Sequence, residues 1–373
     1  MQRFMSVHAA DANGAMLLQQ CLGQLGEPPP EASLGFIYAT AATAAWLPHI
    51  VAGLQQWLPG VYWLGCVGEG VCAAGREYYD EPAVSLLLTD IPPENFCLLA
   101  GTDDLSAQLP GDVVAWCERH PDSFGLLHAV PSYIATSAYV SEIRRHSPAA
   151  HLNGGLSSSA GNYRHIENGV RSHGISGVLF SGQVPYLSDL SQGCSPIGAA
   201  HRVSEAHQNM VLQLDGRPAL EVLRETVGEV LWRDPRRLGN YIFVGLPANS
   251  GRDNDYLVRN LMGLDLEGGA IAVGDLMERR TQLRFCRRDG NAARDDLLAM
   301  LQRLKGQLAG RPIRGGIYIS CVGRGRRQFG HDSEELGMIA AELGDFPLSG
   351  FFANGEFYHG RLYSYTGVLT LFL

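Results

Sequence analysis

The sequence predicts an α+β fold: two similar domains of repeated strand-helix-strand-strand units, with mixed, largely antiparallel sheets and helices packed outside. Three observations point there. The C-terminal stretch holds an apolar run at Ile317-Tyr318-Ile319, a helix carrying Leu336, Ile339, Ala340 and Leu343 on one face, and apolar segments at 346–352 and 362–372. The front of the chain has the same order. An apolar run at 34–40 precedes a helix face of Trp46, Leu47, Ile50, Val51, Leu54, Trp57 and Leu58, then runs at 61–66 and 83–89. Gly65 and Gly70 are spaced like Gly350 and Gly355, which suggests one tight backbone excursion made twice, where a Cβ would clash.

The elements follow in order. Residues 1–26 read as a helix that packs late or presents a partner surface. Glu27-Pro28-Pro29-Pro30-Glu31 is a linker. The first unit fills 34–89, its helix stopped by Pro59-Gly60. A looser unit follows, with a strand at 124–130, a helix at 137–145, the turn Asn153-Gly154-Gly155 and a strand at 175–181. Residues 203–214 read as one strand, Asp215-Gly216-Arg217-Pro218 as a turn, and Leu220, Leu223, Val227 and Leu231 as a helix face. A third, also looser unit is expected over 241–285. In the last unit, Asp332 and Glu335 have capping-box spacing, and Gly344 sits where a helix stops. The domains expected are a leader at 1–33 and domains at 34–214 and 215–373.

Bulk properties narrow the function classes. The 373 residues carry 38 acids against 29 bases, a formal charge of -9, which argues against nucleic acid or an anionic membrane as partner. The eight cysteines are scattered, without C-x-x-C or zinc-finger spacing, so reduced thiols in a cytoplasmic protein are expected, with no metal site. No signal peptide is recognisable at the N-terminus. Between Ala32 and Gly68 there is no Asp, Glu, Lys or Arg, yet Pro48, His49, Gln55 and Gln56 interrupt the run, against a membrane span. The glycine-rich turns at 65–70 and 320–325 match neither a P-loop nor a dinucleotide fingerprint.

Certain stretches resemble a known family. Gln192-Gly193-Cys194-Ser195-Pro196-Ile197-Gly198 and Leu214-Asp215-Gly216-Arg217-Pro218 are similar to the centre of FIST domain proteins. Ser320 to Gly325, Gly350 to Glu356 and Tyr365-Thr366 resemble the family's C-terminal part; Gly65-Cys66 and Asn153 to Leu156 resemble its N-terminal part. In the N-terminal motif the family's acid after the second glycine is replaced by Val71. The resemblance implies an intracellular sensory module, not an enzyme, that binds a small ligand, with amino acids suggested, and signals through a separate partner. It also leaves open a haem-binding nitric oxide sensor that regulates a histidine kinase, since a single axial His needs no motif. A cysteine-dependent hydrolase using Cys321 or Cys194 is a third reading.

The site expected lies where two strand ends of the last unit meet. Arg324 and Glu356 would reach a common rim, an Arg fork for a carboxylate and a Glu for an ammonium. Asn354 and Cys321 would line the rim, with Asn153 and Cys194 facing them. The competing expectation is a plain ion pair between Arg324 and Glu356.

Overall fold

A computed structural model describes residues 4–159, 161, 163–248 and 256–373. The chain is α+β, its sheets mixed but mostly antiparallel. It divides into two compact units, and the second is an insertion within the first. The first holds Met1–Ser191, Arg294–Leu362 and Thr366–Leu373; the second holds Gln192–Ala293 and Tyr363–Tyr365.

The first unit begins with β1 (Met5–Ala10) and α1 (Gly14–Leu25), so the N-terminal segment is a strand and a helix, not a helix alone. Then come β2 (Leu34–Thr40), α2 (Leu47–Trp57), β3 (Tyr62–Gly68), the hairpin β4 (Gly70–Ala73) and β5 (Arg76–Tyr79), and β6 (Ala83–Thr89). The pattern returns after β7 (Phe96–Thr102) and α3 (Gly111–Arg119). Here β8 (Phe124–Ala129), α4 (Thr136–His146), β9 (His151–Leu156), the hairpin β10 (His165–Glu167) and β11 (Val170–Arg171), and β12 (Ile175–Phe180) lead to β13 (Tyr186–Gln192).

The second unit comprises β14 (Cys194–His207), β15 (Met210–Leu214), β16 (Arg217–Pro218), α5 (Ala219–Trp232), β17 (Ile242–Pro247), β18 (Tyr256–Asp265), β19 (Ala270–Val273) and β20 (Gln282–Arg288). Helix α6 (Gly290–Leu308) leads back to the last repeat. That repeat is β21 (Gly315–Cys321), α7 (Glu334–Leu343), β22 (Leu348–Ala353), the hairpin β23 (Glu356–Tyr358) and β24 (Arg361–Tyr363), and β25 (Thr366–Phe372).

Three repeats share one pairing scheme. In each, two strands joined through a helix lie parallel: β2 with β3, β8 with β9, β21 with β22. The closing strand pairs antiparallel on the other side: β6 on β2, β12 on β8, β25 on β21. A parallel pair needs such a crossover, and the helix supplies it. Each hairpin leaves its own repeat and extends another's sheet: β4 joins β22, β10 joins β3, and β23 joins β9.

One glycine in each repeat makes the close parallel approach possible. A Cβ at Gly65 would lie 1.8 Å from the Ile37 carbonyl oxygen, at Gly154 2.1 Å from that of Leu127, and at Gly350 1.8 Å from that of Tyr318. The central strands are buried on both faces, which explains their solid apolar runs. Phe36, Tyr38, Leu126, Ile319 and Phe351 face one shared core; Ile37 and Trp63 meet α1 and α2, and Leu127 and Leu152 meet α3 and α4.

The second unit is built differently. Strands β14, β20, β17, β18, β19 and β15 form a sheet that the pairing of β14 with β15 closes into a barrel. The stretch expected to be a further strand-helix-strand unit, 241–285, instead runs antiparallel throughout, β17 lying between β18 and β20. Residues 203–214 belong to two strands joined by a tight turn. Leu220, Leu223 and Val227 of α5 pack on Val211, Ile242, Val244 and Phe285. The sequence boundary at 214/215 falls between two paired strands of this sheet. Among the described residues no helix is long and apolar enough to cross a membrane.

Candidate functional site

The C-terminal ends of β21 and β22 gather an unusual number of buried polar groups. The turn after β21 carries Arg324, whose side chain is fully buried, as is that of Glu335 in the first turn of α7. Arg324 Nε lies 2.8 Å from Glu335 Oε1, and its guanidinium rests over the Phe329 ring at 4.9 Å. Glu335 takes three further donors: Tyr318 Oη at 2.5 Å, Ser320 Oγ at 3.1 Å and the Gly325 backbone N–H at 2.7 Å. Ser191 offers its carbonyl and hydroxyl oxygens to the far side of the guanidinium, at 3.5 and 3.3 Å. A buried charge pair is tolerated only when its remaining hydrogen-bonding groups are met in this way.

The capping box therefore does not form. Glu335 faces inward to Arg324, and Ser333, the residue preceding α7, is left-handed and makes no side-chain cap bond. Spacing alone cannot distinguish a cap from a buried partner for a nearby Arg.

Glu356 opens β23, at the point where the hairpin docks onto Gly155 of β9. It too is fully buried. Its Oε2 accepts the Thr366 N–H at 3.2 Å and the Thr366 hydroxyl at 2.8 Å. Its Oε1 has no hydrogen-bond partner among the described residues. Burial pushes the carboxyl up to about 8; the Thr366 bonds, the Arg324 charge and the Cys321 thiol pull it the other way without prevailing. At neutral pH this group is mostly a neutral acid.

The expected site residues are thus placed as follows. Cys321, Arg324 and Glu356 come together, but inside the unit and not on a rim. The carboxylate that holds Arg324 is that of Glu335. Asn354 is exposed and next to them in sequence, its N–H donating to the Leu156 carbonyl. Asn153 is buried, its amide donating to Ser188 and Thr370 and its oxygen accepting the His359 N–H. Cys194 belongs to the second unit, where it packs on Phe243, Tyr256, Val258 and Cys286, and its carbonyl accepts the Tyr256 hydroxyl at 2.7 Å. All eight cysteines are free thiols. Sequence reading missed Glu335, Tyr318, Ser320 and Thr366.

Register identifies the counterparts of Glu356 in the other repeats. Glu356 lies opposite Gly155, Val71 opposite Phe351 and His165 opposite Cys66; each opposing residue directly follows its repeat's special glycine. The repeat that lacks the family's acid has Val71, and the middle repeat has a histidine. Both His165 ring nitrogens are engaged, by the Ser176 hydroxyl at 2.6 Å and the His173 carbonyl at 2.7 Å. Of the three positions, only Glu356 has an unpartnered oxygen.

Sequence comparison decides the family. The FIST N domain matches residues 33–217 and the FIST C domain matches residues 219–359. The chain belongs to the FIST family. FIST domains are associated with sensory signal transduction and are not a known enzyme family. An uncharacterised protein of Mycobacterium tuberculosis is 31% identical over 337 residues, 87% of each chain. Another, from Mycobacterium bovis, is 29% identical over 364 residues, 93% of this chain and 92% of its own.

Proposed function

We propose that this FIST protein senses a small polar ligand at Glu356 and passes the signal to a separate protein, a histidine kinase being one such partner. The observation that carries the reading is the Glu356 carboxyl: fully buried, neutral near pH 7, and with one oxygen lacking a partner. A buried polar group without a hydrogen bond costs about 1–3 kcal/mol, and a ligand that supplies the bond recovers it. An ammonium suits this position, because it converts the neutral acid into a paired carboxylate and releases a proton. Arg324 is already paired with Glu335, so the ligand's ammonium is the group that Glu356 recognises, and amines and amino acids both qualify.

The test is a thermal-shift screen of the common amino acids and simple amines on the wild type and Glu356→Gln. At least one amine or amino acid is expected to raise the melting temperature of the wild type and not that of the variant. Equal shifts in both, or none for any amine or amino acid, would overturn the assignment to Glu356. Absorbance of the purified protein in the Soret region tests the haem alternative, and stoichiometric labelling by an electrophile, lost in Cys321→Ser, tests the hydrolase alternative.

A further inference from the structure

The hairpin β4–β5, which the first repeat lends to the last, is not used by the Glu356 site. Its strand β5 is the outermost strand of that sheet and is joined to it only through β4, which pairs with β22. Its side chains nonetheless reach the turn that carries Arg324. Tyr79 lies over Gly325, where a Cβ would come within 2.0 Å of the Tyr79 hydroxyl, and its ring meets that of Phe352 at 4.8 Å. Arg326 of the same turn lies over the Tyr79 ring at 4.4 Å and pairs with Asp80 at 2.5 Å. Ser333, just ahead of α7, leaves its own helix uncapped, and its hydroxyl instead accepts the Glu77 N–H at 2.9 Å. The hairpin therefore roofs the Arg324 turn from the edge of the sheet.

Glu77 is the group in this contact whose charge can change. Its Oε2 accepts the Tyr79 hydroxyl at 2.8 Å; its Oε1 is closed off from solvent and has no hydrogen-bond partner among the described residues. Burial and the charge of Glu335 push the carboxyl up to about 7, against Tyr79, the Leu336 N–H in the first turn of α7, and Arg326, which favour the ionised form. The Cys72 thiol of β4 also faces it, and burial keeps that thiol protonated. Two carboxylates this close repel when both are ionised. Glu335 cannot withdraw, because Arg324, Tyr318, Ser320 and the Gly325 N–H hold it inside. An edge strand can, since only one neighbour holds it to the sheet.

We propose that the β4–β5 hairpin is a lid over the Arg324 turn, latched while Glu77 is protonated and loosened when Glu77 ionises. The direction follows from the two states. In the open hairpin Glu77 is solvated and titrates near its ordinary 4.5; in the closed one it titrates at about 7. Below about pH 4.5 both states hold the proton and the latch is fully present. Above that, only the closed state holds it, so closure weakens about 10-fold per pH unit and levels off once the pH has risen through about 7. The lid is a property of Glu77 and Glu335, and it stands or falls independently of what binds at Glu356.

Amide hydrogen exchange of the full chain, read by mass spectrometry as protection factors, is the test. Protection factors remove the pH dependence of exchange itself. Peptides covering 70–79 report the hairpin, and peptides covering β8 report opening of the whole unit, including any contribution from Glu356. From about pH 5 to about pH 8, protection of 70–79 should fall on the order of 50-fold more than that of β8. Glu77→Gln removes the charge, and its amide oxygen can still accept the Tyr79 hydroxyl. In that variant the hairpin profile should run parallel to the β8 profile. The comparison of the two segments within the wild type decides the matter even where the variant does not fold. Hairpin protection that falls only in step with β8, or an extra fall that persists in Glu77→Gln, would each overturn the proposal.

Discussion

Glu335 and Glu356 lie at the same end of the last repeat, both at 0% exposure, and both feel the charge of Arg324. Glu335 has four donors, one of them the Arg324 guanidinium of the salt bridge. Glu356 has two donors from Thr366, a weak thiol hydrogen bond from Cys321, and an oxygen, Oε1, with no partner. Burial is therefore not what separates them; the number of donors is. Donors to the charged form oppose the effect of burial, and at Glu356 they are too few to prevail, so burial raises its titration. The first arrangement is closed, and the second retains capacity for another group. This difference marks Glu335 as part of the framework, and it is why the proposed function places the ligand at Glu356.

The largest expected effect comes from breaking the closed arrangement. Glu335→Ala strands the Arg324 guanidinium without its counter-ion, which costs about 3–5 kcal/mol. Tyr318, Ser320 and the Gly325 N–H lose their acceptor as well, at about 1 kcal/mol each. Chemical denaturation should show a loss of at least that size, or no folded protein at neutral pH. A loss below about 1 kcal/mol would mean that Glu335 and Glu356 are interchangeable partners of Arg324.

A smaller effect, conditional on pH, is expected at Glu356. Its carboxyl titrates near 4.5 when unfolded and at about 8 when folded. Between those values the folded state holds a proton that the unfolded state has released. Stability from this group is thus fully present below about pH 4.5 and is lost as the pH rises through about 8. The loss is on the order of 5 kcal/mol across the window. Glu77, which burial and the charge of Glu335 push up to about 7, adds a slope of the same sign. Glu356→Gln should be nearly neutral at pH 5 and more stable than the wild type at pH 9. Urea unfolding from pH 5 to 9 checks this, and parallel profiles for the two proteins would sink it.

The sequence made part of this arrangement legible. Gly65 and Gly350 announce themselves by spacing, because only glycine fits that close to the parallel neighbour's carbonyl. Gly154 has the same role but is harder to recognise. The residue five further on is Ser159, and the next hairpin starts only at His165, so the spacing rule fails there. The hairpin exchange cannot be seen in the sequence, because β23 pairs with a strand about two hundred positions earlier and no local pattern encodes that partner. Strand β1 was hidden by its length and by His8, whose ring meets the Tyr78 hydroxyl at 2.6 Å. Arg324, Cys321 and Glu356 were legible as a group because glycine turns end both strands. Glu335 was not, because its spacing from Asp332 imitates a helix cap.

The smallest expected effect probes the one residue that holds Glu356. Thr366 supplies both of its backbone and side-chain donors, and each bond favours the ionised carboxylate. Thr366→Val keeps the N–H and the side-chain shape but removes the hydroxyl. The neutral acid loses one neighbour, at about 1 kcal/mol, and the carboxylate loses more, since bonds to charged groups are worth about 1.5–3 kcal/mol. The difference moves the Glu356 titration further upward, by about half to one pH unit. Carboxyl-selective carbon NMR on the labelled protein reads that shift directly. An unchanged or lowered midpoint would show that Thr366 does not set the charge of Glu356. The burden would then fall on Cys321 and Arg324, and Glu356 would stand closer to Glu335 than its donor count implies.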